Sequence, residues 1–300
     1  MAAGAGAGAG GVIVVVLVIV IPIRRRRYPY GRADRRGQLV VYAPPPLPRP
    51  PVALPPAPAE SEPAQRAVEV RVLGPIELVG LIEPTGRSAV DELLVYLALH
   101  PGQVFSGAQL RSRIWADPRR EPTSKAFCNT LYYLRKALPT EAYEKTRHGP
   151  KLTEVVSSDW GQFSFLIADN GESRNENLTA ALRLVRGHPF AGVKGRAGDS
   201  PYDWAYQERL VSEMETTVEA VAHELATAML EADDTEHARW AIDQGCRCVP
   251  GSLLLYGDLL RAGAARDGAV GVERAMAEAR RVIGDDAAAL DDLARQLAGH

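Results

Sequence analysis

A chain of 300 residues is long enough for two domains and additional segments. Its three cysteines are too few for a disulfide scaffold, so a reducing compartment is the expected environment. The net charge of −2 is unevenly distributed: residues 1–65 carry 8 basic and 3 acidic side chains, residues 66–159 carry 13 and 11, and residues 160–300 carry 14 and 23. The acidic residues 160–300 do not attract nucleic acid by their charge. Any contact with DNA is therefore expected from residues 66–159.

The N-terminal segment resembles a membrane anchor. Residues 12–21 are ten consecutive Val, Ile or Leu residues, and four arginines follow at positions 24–27. With the small residues before it, the run is long enough to cross a bilayer, which needs about 20 residues. The arginines on its C-terminal side predict, by the positive-inside rule, that the downstream domains are cytoplasmic. We therefore expect a single-pass anchor at residues 1–23 that contacts the cell membrane through residues 12–23; a buried strand is the alternative.

A basic and proline-rich linker is predicted at residues 24–65. Its second half, residues 42–63, contains the patterns PPP, PRPP and PP, which are typical of an extended polyproline II conformation. Such a composition excludes a packed core. The expected role of the linker is to hold the folded part away from the membrane.

Residues 66–160 are predicted to form a winged-helix domain. Hydrophobic periodicity and breaker residues indicate, in chain order, two short strands between residues 68 and 82 broken at Gly74 and Pro75, helices over 88–100, 107–115 and 122–138, a turn at 148–150 and a strand over 152–156. Ser106 and Ser124 are the expected N-caps of the second and third helices. Strands, three helices and a β hairpin follow one another in this order in the winged helix, whose third helix enters the DNA groove.

The third predicted helix has two different faces. Its apolar face carries Phe127, Leu131, Leu134 and Leu138, at helical spacing. The opposite face carries long polar side chains that can reach base edges and phosphates in a major groove. The predicted contacts are Lys125, Asn129 and Tyr132 to the groove, Arg135 and Lys136 to phosphates, and Arg147, His148 and Lys151 on the wing. A core helix with a solvated outer face is the alternative.

Residues 161–300 are predicted to be a helical repeat domain. A long amphipathic helix is expected over 204–230, with a buried stripe at Leu210, Met214, Val218, Val221, Leu225 and Met229. Residues 237–251 and 271–285 align at an offset of 34, which is the period of tetratricopeptide (TPR) repeats. Stacked repeats bury a shared core and leave a concave surface for a protein partner. The predicted fold class is therefore mainly α with a small amount of β.

Several segments resemble known families. The stretches VRVLGPIEL, YLALHPGQVFSGAQLRSRIW and KAFCNTLYYLRKAL are similar to the winged-helix domain of SARP-type antibiotic regulatory proteins. They are closer still to the equivalent domain of actinobacterial membrane proteins that carry a LysM module upstream. The stretches WAYQERL, HELATAMLEADD, ARWAIDQG, VPGSLLLYGDLLRA and GVERAMAEARRVIG resemble the bacterial transcriptional activator domain (BTAD). The resemblance implies a membrane-anchored transcriptional regulator, although Cys128 stands where the family usually has a basic residue.

No catalytic residues, metal site or cofactor are expected. The chain has no glycine-rich phosphate loop and no GxSxG motif, and its six histidines are scattered. His223 has Glu219 and Glu224 nearby in the sequence, which a solvated helix face explains more simply than a metal site. Two functions stay open: a DNA-binding regulator at the membrane, or a membrane-tethered scaffold that binds protein and no longer binds DNA. Homodimerisation is also left open.

Overall fold

The computed structural model describes residues 68–115, 121–169, 171–193 and 201–299. These ranges are mostly helical and contain two small sheets. The predicted anchor and linker, residues 1–65, lie outside them. None of the helices in these ranges combines the length and apolar character needed to cross a membrane.

The secondary structure elements are named here in chain order. The strands are β1 (Val68–Arg71), β2 (Glu77–Val79), β3 (Tyr143–Lys145), β4 (Pro150–Leu152) and β5 (Val156–Ser158). The helices are α1 (Ser88–Leu99), α2 (Gly107–Ile114), α3 (Ser124–Ala137), α4 (Asp159–Ala168), α5 (Arg174–Arg183), α6 (Asp203–Gln207), α7 (Leu210–Glu231), α8 (Thr235–Cys248), α9 (Leu253–Ile283) and α10 (Asp291–Ala298). Short 3-10 turns lie at Thr140–Ala142 and Gly284–Leu290.

The first sheet has the strand order β2-β1-β5. The break predicted at Gly74 and Pro75 is confirmed, since β1 ends before it and β2 follows it in antiparallel pairing. The single strand predicted over residues 152–156 is wrong. The chain instead ends β4 at Leu152 and turns, because Val156 must reach Val68 to start the parallel pairing of β5 with β1.

α1 packs on this sheet, and α2 and α3 pack on α1. α1 is buried along nearly its whole length, between the sheet and α3. α2 starts as predicted with Ser106, whose hydroxyl accepts from Gln109 N, while the Gln109 side chain accepts from Ser106 N. The N-cap of α3 is Thr123 and not the predicted Ser124, because the hydroxyl of Thr123 accepts from Ala126 N at 3.3 Å. The Ser124 hydroxyl is instead 2.8 Å from Arg111 Nη1, which donates to it.

The C-terminal part is a stack of helices in which α7 packs on α8 and both contact α9. The predicted stripe on α7 is confirmed: all six side chains are buried except the half-buried Leu210. The continuous helix predicted over 204–230 is wrong, because Arg209 adopts a left-handed conformation with φ of 63°. This break lets Trp204 point into the core while α7 runs in another direction.

The two predicted domains share contacts across residue 160. Arg186 N donates to the carbonyl oxygen of Leu73 at 2.7 Å, and Arg186 Nη2 lies 3.6 Å from the buried carboxylate of Asp159. This carboxylate also accepts from Val72 N and Leu73 N at 2.9 Å, at the end of β1. The buried carboxylate of Glu92 on α1 accepts from Trp115 Nε1 at 2.9 Å and from Tyr202 N at 2.8 Å. The domain limits 66–160 and 161–300 therefore stay predictions, and the core runs continuously from one part to the other.

Candidate nucleic-acid interface

The two faces of α3 are separated as the sequence predicted. Phe127 and Leu134 are buried against α1, together with Thr130 and Ala137, which the prediction had not included. Leu131 is half-buried. The predicted contact residues of this helix are all exposed: Lys125, Asn129, Tyr132, Arg135 and Lys136. α3 thus offers one continuous polar face to a ligand.

The wing is the antiparallel hairpin β3–β4, with Tyr143 paired to Leu152. Its turn is ordered by Thr146, whose hydroxyl donates to Gly149 O at 2.8 Å and accepts from the His148 and Gly149 amides at 3.1 Å. Arg147 and His148 are exposed at this turn, as predicted for wing residues. Lys151 lies on β4, half-buried.

Gly149 fixes where the wing sits. Its φ of 147° favours glycine, and a Cβ atom there would lie 1.9 Å from the carbonyl oxygen of Phe105. The turn of the hairpin therefore touches the segment just before α2. This close approach holds the wing against the start of α2.

Arg135 connects α3 to the wing. Its guanidinium lies 5.6 Å from the ring centroid of Tyr143, within the range of a cation–π contact. Burial raises the pKa of Tyr143, and the nearby Arg135 partly opposes this rise. The contact places an exposed cation where the helix and the hairpin meet.

Two of the cations predicted to bind phosphates are held in ion pairs. Lys136 Nζ is 2.8 Å from Glu83 Oε2, and this hydrogen bond raises the pKa of Lys136. Lys151 Nζ is 3.9 Å from Glu144 Oε2, a weaker pair. Within the described ranges, Arg135 and Arg147 have no ion-pair partner.

The prediction missed two charged residues beside α3. The guanidinium of Arg87, just before α1, stacks 3.8 Å from the ring centroid of Tyr133. Glu83 reaches Lys136 from a position 53 residues earlier in the chain. Nothing in the sequence signals either contact, because both depend on how the segment before α1 packs against α3.

His223 and Glu224, which are neighbours in the sequence, have separate partners in the structure. His223 Nδ1 lies 2.6 Å from the buried carboxylate of Asp258 on α9, and Glu224 pairs with Arg174 instead. Within the described ranges, His, Cys, Asp and Glu side chains form no group of three that could hold a metal ion.

Comparisons with known proteins show a shared fold. No protein-family model matches the sequence, and no curated protein matches it. The structure is similar to that of Mycobacterium tuberculosis EmbR, solved in complex with a low-affinity phosphopeptide, with a TM-score of 0.52 and 18% identity. The match covers 78% of this chain and spans 65% of the EmbR chain. This likeness supports the SARP-like fold that the sequence resemblance implied.

Proposed function

We propose that this chain is a transcriptional regulator that binds duplex DNA through α3 and the hairpin β3–β4. The observation that supports this most directly is the exposed polar face of α3 beside the wing. Third helices of this fold place such a face in the major groove. The finer resemblance to BTAD and LysM-carrying membrane proteins is part of the proposal, supported by the segments quoted above and the 34-residue offset.

The side chains divide into two roles. Lys125, Asn129 and Tyr132 would face base edges, and the amide of Asn129 can pair bidentately with adenine N6 and N7. The cations Arg135, Lys136, Arg147 and Lys151, with His148, would contact phosphates and set the orientation of the helix. If the two arginines and two lysines all contact phosphates, a plot of the logarithm of the DNA-binding constant K against the logarithm of the salt concentration has a slope of roughly −3 to −4.

The variant Asn129→Ala tests the base contact. We expect it to weaken binding to a preferred site by about 1–3 kcal/mol and to change binding to random DNA little. The measurement is a titration of full-length protein against genomic fragments and random duplexes at several salt concentrations. Gln296→Ala, which removes an exposed amide on α10, is the matched control.

The test compares the DNA affinities of variants with that of the parent, because the basic N-terminal segment contributes to the affinity of each of them. Residues 1–65 carry a net charge of +5 and will themselves attract DNA without sequence preference. This contribution is the same in every variant, so it cancels in the differences. Equal affinities of the parent, Asn129→Ala and Lys136→Ala for all duplexes contradict DNA binding by α3.

A second function is favoured by one observation. Glu83 and Glu144 neutralise two of the cations on the proposed DNA surface, which suits a scaffold that has lost DNA binding. In that case the stacked helices α7–α10 bind a protein partner. The EmbR structure contains a phosphopeptide, which makes a protein partner a reasonable class to test. This second function would be supported if the parent protein binds a protein partner but no DNA, and if substitutions on α9 abolish binding of that partner.

A further inference from the structure

We infer that Glu83 attenuates DNA binding. Its carboxylate forms an ion pair with the ammonium group of Lys136, and a DNA phosphate must displace this carboxylate to contact Lys136. This inference rests on the proposed function and concerns regulation of the same surface. It assigns a role to a residue outside α3 and outside the wing.

The position of Glu83 is set by the backbone. Ile82 N donates to the carbonyl oxygen of Ala137 at 2.8 Å, at the last turn of α3. Glu83 follows directly and Pro84 restricts the chain after it. The backbone of Glu83 is therefore held beside the last turn of α3, from which its carboxylate reaches Lys136 with an Nζ–Oε2 distance of 2.8 Å.

The pair can be opened by a phosphate. Both side chains are 53% exposed, and exposed pairs contribute little to stability because water screens them. A phosphate that approaches Lys136 also meets the negative charge of Glu83 and is repelled by it. With Glu83 present, Lys136 therefore attracts a DNA phosphate less strongly than an unpaired lysine would.

Other cations on the surface are not masked in this way. Lys125, Arg135 and Arg147 have no ion-pair partner within the described ranges, and Arg87 stacks on Tyr133. The Glu144–Lys151 pair on the wing is longer, at 3.9 Å against 2.8 Å. Glu83 is thus the carboxylate with the closest contact to a predicted phosphate-binding cation among the residues that the structure describes.

The test is the variant Glu83→Gln in the full-length chain. It keeps the shape of the side chain and removes the charge. We expect affinity for any duplex to rise by roughly three- to ten-fold at low salt, since one masked cation is released and one repulsion is removed. The slope of log K against log salt should become steeper by about 0.9, the value of one additional phosphate contact.

A matched control separates this local effect from net charge. Asp292 on α10 is 85% exposed and pairs with Arg295. α10 packs on α9 and on the 3-10 turn before it, not on α3. Asp292→Asn changes the net charge by the same amount as Glu83→Gln. We expect it to leave both the affinity and the slope unchanged.

A double variant shows whether the gain passes through Lys136. In a Lys136→Ala background, Glu83→Gln should lose most of its gain, because the released cation is no longer there. Equal behaviour of Glu83→Gln and Asp292→Asn overturns the inference. Binding that weakens with Lys136→Ala but ignores Glu83→Gln overturns this inference alone, whereas no binding by any variant overturns the proposed function as well.

Discussion

At the scale of single residues, Trp204 joins the winged-helix part to the helical part. It is 1% exposed, and its ring lies 4.8 Å from Tyr96 on α1 and 6.1 Å from Phe190, both in edge-to-face geometry. Edge-to-face aromatic pairs add to the free energy gained by burial. Trp204 therefore stabilises the contact between both parts of the molecule.

We expect Trp204→Ala to lower the free energy of unfolding by about 3–5 kcal/mol, as for other large buried aromatic residues. Thermal and denaturant unfolding followed by circular dichroism measures this. Trp240→Ala is the matched control, because Trp240 on α8 is only half-buried. Its variant should lose clearly less stability, and equal losses would contradict the importance of the Trp204 junction.

At the scale of elements, α9 is interrupted by a turn at Gly268. Gly268 has φ of 60° and ψ of −139°, a conformation that residues with a Cβ atom rarely adopt. The chain reverses there, so the two halves of α9 act as separate helices of the repeat. The 34-residue offset is consistent with this, since the buried Ala241 on α8 aligns with the buried Ala275 in the second half of α9.

We expect Gly268→Ala to lower the free energy of unfolding by roughly 1–3 kcal/mol, because the backbone there is strained for any other residue. No atom lies within 4 Å of the added methyl group, so the effect is purely conformational. Gly251→Ala is the control, since that site also has open space but an ordinary φ. Equal melting temperatures for the two variants would show that α9 tolerates a different turn at this position.

At the scale of the whole molecule, the described residues belong to a single compact unit within Val52–His300. The carboxylates of Glu92 and Asp159 both have a partner beyond the predicted limit at residue 160, since Glu92 accepts from Tyr202 N and Asp159 lies 3.6 Å from Arg186 Nη2. Replacing either carboxylate would leave buried N–H groups without acceptors, which is unfavourable. Glu92 therefore fixes the position of Tyr202 relative to α1 and to Trp115 at the end of α2.

The predicted membrane anchor concerns the whole molecule too. We expect the full-length protein to fractionate with membranes because of the apolar run at residues 12–21 and the arginines at 24–27. A chain that starts at residue 65 should remain in the soluble fraction, which makes it the control. A C-terminal reporter should be active in the cytoplasm, and a freely soluble full-length protein would contradict the anchor.

The sequence by itself determined the elements that depend on local patterns. The faces of α3, the capping of α2 by Ser106 and the stripe on α7 follow from periodicity and capping chemistry, and all are found in the structure. The SARP-like fold is implied by short segments such as KAFCNTLYYLRKAL, and the likeness to EmbR supports it. These features rest on interactions between residues close together in the chain, which a pattern can show.

The tertiary structure alone decided the features that depend on distant residues. The split of the predicted strand 152–156 arises because Val156 pairs with Val68, and the break at Arg209 arises because Trp204 packs against Tyr96. The partners of His223 and Lys136 lie on other elements, so sequence neighbours did not reveal them. At Arg209, packing between elements outweighs local preference, because burial of a large side chain such as Trp204 contributes more free energy than the helix propensity of a few residues.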